Sequence, residues 1–441
     1  MVAQAVGIES ETLKKDQRTF QEILSDDELS NLLDKHGVSD GRKRKLLVRW
    51  FVWLMIFSAA ESSRRGSLLQ LIGFFVGAMA LLYPEAGIVS LTKAAVSKKL
   101  KGVTWYLFRG IYNHLLNRYQ QILAEEEVNF LSRFKKAFAI DGSVIALSKQ
   151  MEKVFKSVHK GKASLKMNTK YSLKTAAVTK LQVSSGKRHD SRFNFVTQEA
   201  NCLYVVDLGY WSFKLMKKVM DAGSFFLMRL KSNCDPLIQA VSDNSYQHLV
   251  GKRLSEISDF LKTQATVGSI DLTVQLSKAQ KPRFKENVRL VGLFHEAQWR
   301  FYVTNITDAT FTPALIYDLY AQRWQVEIFF NLVKNVLDLK HIISRNKNGI
   351  MIEIYSALIF YLLVRIVIAL AAQKSLLSSH EFSFERSFKL VRGFLLPHFH
   401  LFLQPSLCAV DRVFHLIIDL VASLGLSPRV PRIVELNRQF A

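Results

Sequence analysis

The chain has 441 residues, with 60 Lys and Arg against 37 Asp and Glu and a formal charge of +23. That length exceeds one ordinary domain, and so cationic a surface argues against an acidic or neutral macromolecular role and for a polyanion, nucleic acid being the commonest. The three cysteines, Cys202, Cys234 and Cys408, lack CxxC or Cys/His spacing and cannot form a full disulfide framework, which fits a reducing, cytoplasmic setting.

Residues 1–130 read as helical throughout, with apolar positions at three-to-four spacing and almost no strand signal. Lys and Arg number 17 there against 14 Asp and Glu, so any contacts with nucleic acid must be locally concentrated. GRKRK (41–45) and KKLKG (98–102) are basic spots, and residues 88–116 can hold two short helices around a turn or part of a plain bundle. No basic segment followed by an apolar core opens the sequence, so no signal peptide is expected. Two apolar runs, 67–83 and 354–373, raise the question of a membrane. Arg365 splits the second, and a central Arg costs about 2.5–3.5 kcal/mol on insertion scales, so a core helix is expected and no membrane span.

The character changes at residue 131. Residues 131–200 hold 15 Lys and Arg against 4 Asp and Glu, and Lys149, Lys153, Lys156, Lys160, Lys162, Lys166, Lys170 and Lys174 are opposed within their own run only by Glu152. This suggests a track along a phosphate backbone, with Lys153, Lys156, Lys160 and Lys162 at its centre. Within it, AFAIDGSVIAL reads as an apolar strand stopping at Asp141-Gly142. LKMNTKYSL and AAVTKLQVSSG follow as two further strands, and LYVVDLGYWS is a buried strand ending in Asp207. SFKLMKKVMDAG is a helix with a glycine stop, and SFFLMRLKS a fifth strand carrying Arg229 and Lys231 at its end. Both apolar strands thus deliver an aspartate at a carboxyl end, where open α/β sheets place their chemistry. His189-Asp190 and the Arg229/Lys231 pair sit near strand ends, where contact with DNA is expected, with a structural hydrogen bond as the alternative role for His189. Residues 233–308 alternate apolar and polar and read as a β-rich insertion.

YAQRWQVEIFFNLVK (320–334) follows. At about 100° per residue Tyr320, Arg323, Glu327, Asn331 and Lys334 share one narrow polar stripe, while apolar bulk occupies most of the remaining circumference. Such a helix is expected to be largely buried, its ions either paired internally or forming an active-site stripe. Trp324 sits at the edge of the stripe, as a core indole or as a face for a displaced base. Asp338 falls on the same side and rivals Glu327 as an acid.

Three converging carboxylates, Asp141, Asp207 and Glu327, repel one another unless cations neutralise them. Oxygen-only ligation suits Mg²⁺ or Mn²⁺, and two such ions roughly 3.5–4 Å apart can drive in-line phosphoryl transfer. Tyr320, two residues, Arg323, three residues, Glu327, six residues, Lys334 resembles the Tyr-Arg-Glu-Lys signature of the DDE transposases of the insertion-sequence-four family. IDGS around Asp141 and DLGYWS around Asp207 resemble that family's aspartate motifs.

The resemblance implies an α/β fold with a ribonuclease-H-like mixed sheet flanked by helices. It further implies a cut-and-paste transposase acting as a homodimer on double-stranded inverted-repeat ends and target DNA. Asp141, Asp207 and Glu327 would be its metal-binding triad, with Tyr320, Arg323 and Lys334 gripping phosphates. The expected organisation is a helical end-binding region (1–130), a first core part (131–232), the insertion (233–308), a second core part (309–375) and a C-terminal helical region (376–441). A same-fold nuclease that does not join ends, and a DNA-binding relative that does not cut, are the alternatives.

Overall fold

The computed structural model describes residues 19–39, 46–60, 68–82, 84, 91–123, 131–264, 268–276, 284–404 and 406–429. The basic run 41–45, the start of the 88–116 segment, most of the linker between the last strands of the insertion and the tail beyond 429 lie outside them. The chain divides into two compact units, Val128–Phe330 and a second formed by Met1–Glu127 with Asn331–Ala441.

The second unit is helical. It contains α1 (Phe20–Ile23), α2 (Asp26–Lys35), α3 (Val48–Ser58), α4 (Leu68–Leu82), α5 (Lys93–Gly102) and α6 (Trp105–Ile122). Ser25 caps α2 through a reciprocal capping box with Glu28, and Thr92 and Thr104 cap α5 and α6, each hydroxyl accepting from an orphan amide of the first turn.

The first unit is built on one nine-stranded sheet in the order β3-β2-β1-β4-β5-β9-β8-β7-β6. Its strands are β1 (Lys136–Leu147), β2 (Ala163–Ser172), β3 (Ala177–Ser185), β4 (Cys202–Val206), β5 (Phe225–Arg229), β6 (Leu237–Val241), β7 (Ser269–Gln275), β8 (Asn287–His295) and β9 (Gln298–Thr304). β2 is antiparallel to both β1 and β3, while β1, β4 and β5 run parallel, an arrangement that is ribonuclease-H-like. β4, CLYVV, is buried at every position, as a central parallel strand must be. α7 (Phe213–Asp221) crosses from β4 to β5 and sets Met216 and Val219 in a core with Phe138, Ile140, Tyr204, Val206 and Phe226. The β-rich stretch 233–308 does not stand apart: β9 pairs with β5, so β6 to β9 extend the same sheet, with α8 (Ser258–Thr263) between β6 and β7.

Two sequence expectations change here. β1 does not stop at Asp141-Gly142 but runs to Leu147, because Gly142 to Leu147 pair with Asn168 to Ala163. The continuous helix expected over 320–334 is interrupted: α9 (Pro313–Ala321) ends before Gln322 and Arg323, and α10 (Trp324–Asn331) leads into a π-helical turn, Leu332–Val336. At the interruption Arg323 N donates to Tyr320 O and Val326 N to Arg323 O, bonds of the tighter i,i+3 type.

The expected core part 309–375 is divided too, since the sheet unit ends at Phe330. The 354–373 run lies in α11 (Lys347–Ser375), followed by α12 (Phe384–Leu395) and α13 (Asp411–Leu424). α11 is long and apolar enough to cross a membrane, but its most apolar window is buried within its own unit. Arg365 is buried with it and donates to the Tyr119 hydroxyl at 3.3 Å.

Candidate active site

Asp141 and Asp207 are neighbours because β1 and β4 are. Ile140 is in register with Val206, and Asp207, the next residue, donates its amide to the Ile140 carbonyl at 3.4 Å. Each carboxylate is tied locally. Asp141 Oδ1 accepts from Gly142 N at 2.7 Å, and Asp207 caps the turn Leu208–Tyr210 by accepting from Gly209 N at 3.2 Å.

The third acid arrives through the break between α9 and α10. Thr312 caps α9 and Pro313 fills its first turn, which suits a residue without an N–H. The tightened joint then turns Arg323 toward the sheet. Its Nη1 lies 3.1 Å from Asp141 Oδ2 and 3.9 Å from Asp207 Oδ1, and its Nη2 donates to Glu327 Oε1 at 2.5 Å. One guanidinium therefore gathers three carboxylates contributed by β1, the end of β4 and α10.

Burial and like charges act together on Asp141. Desolvation, reinforced by Asp207 and Glu327, raises its carboxyl pKa to about 6 despite the opposing Gly142 amide and Arg323. Tyr320 is buried, with its ring 4.9 Å from that of Tyr302 and 5.8 Å from the Arg323 guanidinium, and burial pushes its phenol up to about 12. Arg229, exposed at the end of β5, is in register with Tyr302 of β9, and its charge offsets a small part of the upward shift that burial imposes on the Tyr302 and Tyr320 phenols. Lys231 is exposed just beyond it. Lys334 belongs to the helical unit, on the π-helical turn, where desolvation lowers its ammonium pKa.

Several expectations are corrected by exposure and pairing. α10 is not largely buried: Trp324 is 59% exposed and Ile328 50%, so the core reading of Trp324 fails. The helix is interrupted before Trp324, yet Tyr320, Arg323 and Glu327 still adjoin one another across the interruption. Asp338 is buried in a left-handed backbone conformation and its carboxylate is held by His341 Nδ1 at 2.6 Å, which leaves Glu327 as the acid sharing Arg323 with the aspartates.

The lysine run separates into two groups. Lys149, Lys153, Lys156, Lys160 and Lys162 are exposed on the loop joining β1 to β2. Lys166 and Lys170 instead point inward from β2: Lys166 pairs with Asp190 at 2.9 Å, and Lys170 is buried with its ammonium 4.4 Å from the Phe138 ring centroid. The loop lies beyond the carboxyl end of the parallel strands, about 20 Å past Asp141 at roughly 3.3 Å per residue.

Sequence reasoning missed the floor of the site. Asp190, Asn168 and Tyr210 crowd around Gly142 and Gly209. A Cβ on Gly142 would meet Asn168 Oδ1 at 2.5 Å, Tyr210 Oη at 3.0 Å and Asp190 Oδ1 at 3.3 Å, and one on Gly209 would meet Asp190 Oδ2 at 3.4 Å. Tyr210 donates its hydroxyl to Asn168 Oδ1 at 2.8 Å, and its pKa is raised by burial and then by Asp190, Asp141 and Asp207. A glycine just after each motif aspartate was the available signal: Gly142, within β1, marks close packing, whereas Gly209 lies in the turn that Asp207 caps.

Among the described residues, no group of three or more His, Cys, Asp and Glu side chains stands ready in metal-holding geometry, since the acids are spread around Arg323. The donor chemistry nevertheless fits a hard divalent cation: three carboxylates converge, with no sulfur or imidazole among them. Arg323 is itself incompletely satisfied, its Nε being buried without a hydrogen-bond partner.

The family described as transposase DDE domain matches residues 132–363. The chain is 25% identical over 375 residues to the probable transposase for insertion sequence element IS5377 of Geobacillus stearothermophilus, covering 84% of this chain and 89% of that protein. It is 23% identical over 308 residues to the transposase for insertion sequence element IS231F of Bacillus thuringiensis subsp. israelensis, covering 61% of this chain and 64% of that one. A cryo-EM structure of the piggyBac transposase synaptic complex with hairpin DNA aligns with a TM-score of 0.41 and 10% identity, over 96% of this chain and 83% of that one.

Proposed function

Because the chain belongs to the DDE-domain transposase family, we propose that it cuts DNA at the ends of an insertion sequence and joins the freed 3′-hydroxyls to target DNA. The observation that carries this reading is the convergence of Asp141, Asp207 and Glu327 on the single guanidinium of Arg323. Its finer form follows the Tyr-Arg-Glu-Lys spacing: a transposase of the insertion-sequence-four type, acting as a homodimer on terminal inverted repeats in the cytoplasm.

Asp141, Asp207 and Glu327 would hold the divalent ions, Mg²⁺ or Mn²⁺, which supply charge neutralisation and activation of water or a 3′-hydroxyl. The chain's own residues do the rest. Arg323, caged by carboxylates, has one N–H directed at none of them and can turn toward a non-bridging phosphate oxygen. Tyr320, with its raised pKa, stays a protonated hydrogen-bond donor throughout the working pH range. Lys334, Arg229 and Lys231 contact phosphates flanking the scissile bond. The exposed lysine loop takes the backbone about six base pairs away, since about 20 Å of strand corresponds to that length at 3.4 Å per pair. Trp324, exposed one residue from Arg323, offers an aromatic face to a terminal base.

The test is to incubate purified protein with the DNA flanking its own coding sequence, a target plasmid and Mg²⁺, and to sequence every new junction. Transposition predicts cuts at a pair of inverted repeats and joined 3′ ends. Cutting without joining would replace this reading with a nuclease.

A further inference from the structure

Residues 1–130 carry almost no net charge as a sequence, yet that charge is unevenly placed. Residues 93–122 hold six Lys and Arg and no acid, whereas the rest of 1–130 holds eleven against fourteen. This stretch is α5 and α6, joined by Val103 and Thr104. The turn is fixed rather than loose: the Asn348 side chain donates to Leu100 O at 2.9 Å and Val103 O at 2.7 Å, and accepts from Trp105 N at 3.2 Å.

One face of the pair is apolar and packed, with Val96, Leu100, Leu107, Phe108 and Ile111 buried. The opposite face exposes Lys93, Lys98 and Lys101 on α5 and Tyr106, Arg109 and Asn113 on the first turns of α6. The last three recur at i, i+3 and i+7, one side of a helix. Arg109 is held over the rings of Trp105 and Tyr106, with centroid distances of 5.2 and 4.7 Å, and those rings stack at 4.1 Å. A guanidinium braced in this way is oriented before it meets a ligand. Arg118, further along α6, is engaged by Glu28 at 2.8 Å and lies outside the face.

Resting on the transposase reading, we infer that α5–α6 is the surface that reads the element's terminal sequence: the start of α6 enters the major groove and α5 lies along the phosphates. Charge selects the partner, because an acid-free basic face suits a duplex and disfavours a second copy of itself. The residue types select the mode. Arg reads guanine O6 and N7 in two-pronged fashion, Asn reads adenine N6 and N7, and lysines on the neighbouring helix suit the backbone.

The experiment uses the full chain and two duplexes: DNA from the ends of the segment flanking its own coding sequence, and a scramble of equal length and composition. The ratio of the two affinities is measured. Arg109→Ala and Asn113→Ala should each lower that ratio by about 10- to 100-fold. Arg109→Lys should lower it similarly while keeping affinity for the scramble. Lys98→Ala with Lys101→Ala should weaken both duplexes alike and reduce the salt slope by about 0.9 per lost contact. A high wild-type ratio that the folded Arg109 and Asn113 variants leave unchanged overturns the inference alone. A wild-type ratio of one overturns the transposase reading, and this inference with it.

Discussion

Asp207 donates its amide to the carbonyl of Ile140, the residue before Asp141, so two acids 66 positions apart in sequence stand side by side where the parallel pairing of β1 and β4 ends. Everything chemical about the site starts from that register, with Arg323 and Glu327 brought to it by a break in a helix. The consequences can be measured.

Replacing Arg323 by Ala should lower strand cleavage on the order of 10²–10³-fold, the usual loss for one oriented donor in an active site. It should also raise the Asp141 pKa further, since Arg323 is the nearest charge opposing burial there. A cleavage pH profile whose acidic limb moves to higher pH checks both effects; an unmoved limb with reduced rate would confine Arg323 to phosphate contact.

Asp141 predicts a stability cost of function. The folded protein keeps its proton up to about pH 6, whereas an ordinary aspartate carboxyl has a pKa of 3.8, so folding takes up a proton between these values. The stability present below about pH 4 is lost as pH rises through 6. With EDTA present, Asp141→Asn should therefore be more stable than wild type at neutral pH, by about 3 kcal/mol, and no more stable at pH 4. Thermal melting at the two pH values decides it. Adding Mg²⁺ should raise the melting temperature of wild type more than that of the variant.

The lysine run should divide as its burial does. Alanine at Lys153, Lys156, Lys160 and Lys162 should flatten the dependence of log affinity on log salt by about 0.9 per lost contact, with no change in melting. Lys170→Ala should lower melting instead, because that side chain is buried over Phe138. An unchanged slope in the fourfold variant would reduce the loop to a solvated face.

This division also shows what the sequence could and could not reveal. Composition located the basic ground and strand periodicity located β1 to β5, because both are local properties. Which lysines turn inward depends on Asp190 and Phe138, partners that only the fold supplies. That Asp141, Asp207 and Glu327 belong together was legible because each acid sits in a recognisable local pattern, and the fold brings the three to one guanidinium. Arg323 as its hub was less so, since a continuous helix predicts its pairing with Glu327 but not its reach to Asp141. Trp324 was ambiguous for the same reason: on a helix with apolar bulk almost all round it reads equally well as core, and only the break after α9 turns it outward. Asp190 was noticed near a strand end, but its place against Gly142 and Gly209 depends on packing across three strands.

Trp324→Ala should leave melting almost unchanged, as expected for a side chain 59% exposed. Loss of base stacking, worth about 1–3 kcal/mol, should slow the appearance of doubly cut ends while first-strand nicking persists. A time course of nicked and doubly cut product tests this, and equal slowing of both steps would remove the stacking role.

The most direct measurement of the central claim pairs cleavage with end binding for Asp141→Asn, Asp207→Asn and Glu327→Gln. If the three acids form one site, each variant loses strand cleavage while its affinity for element ends stays within a few-fold of wild type. Near-normal cutting by any one of them would contradict the account, because that acid would then lie outside the site that Arg323 assembles.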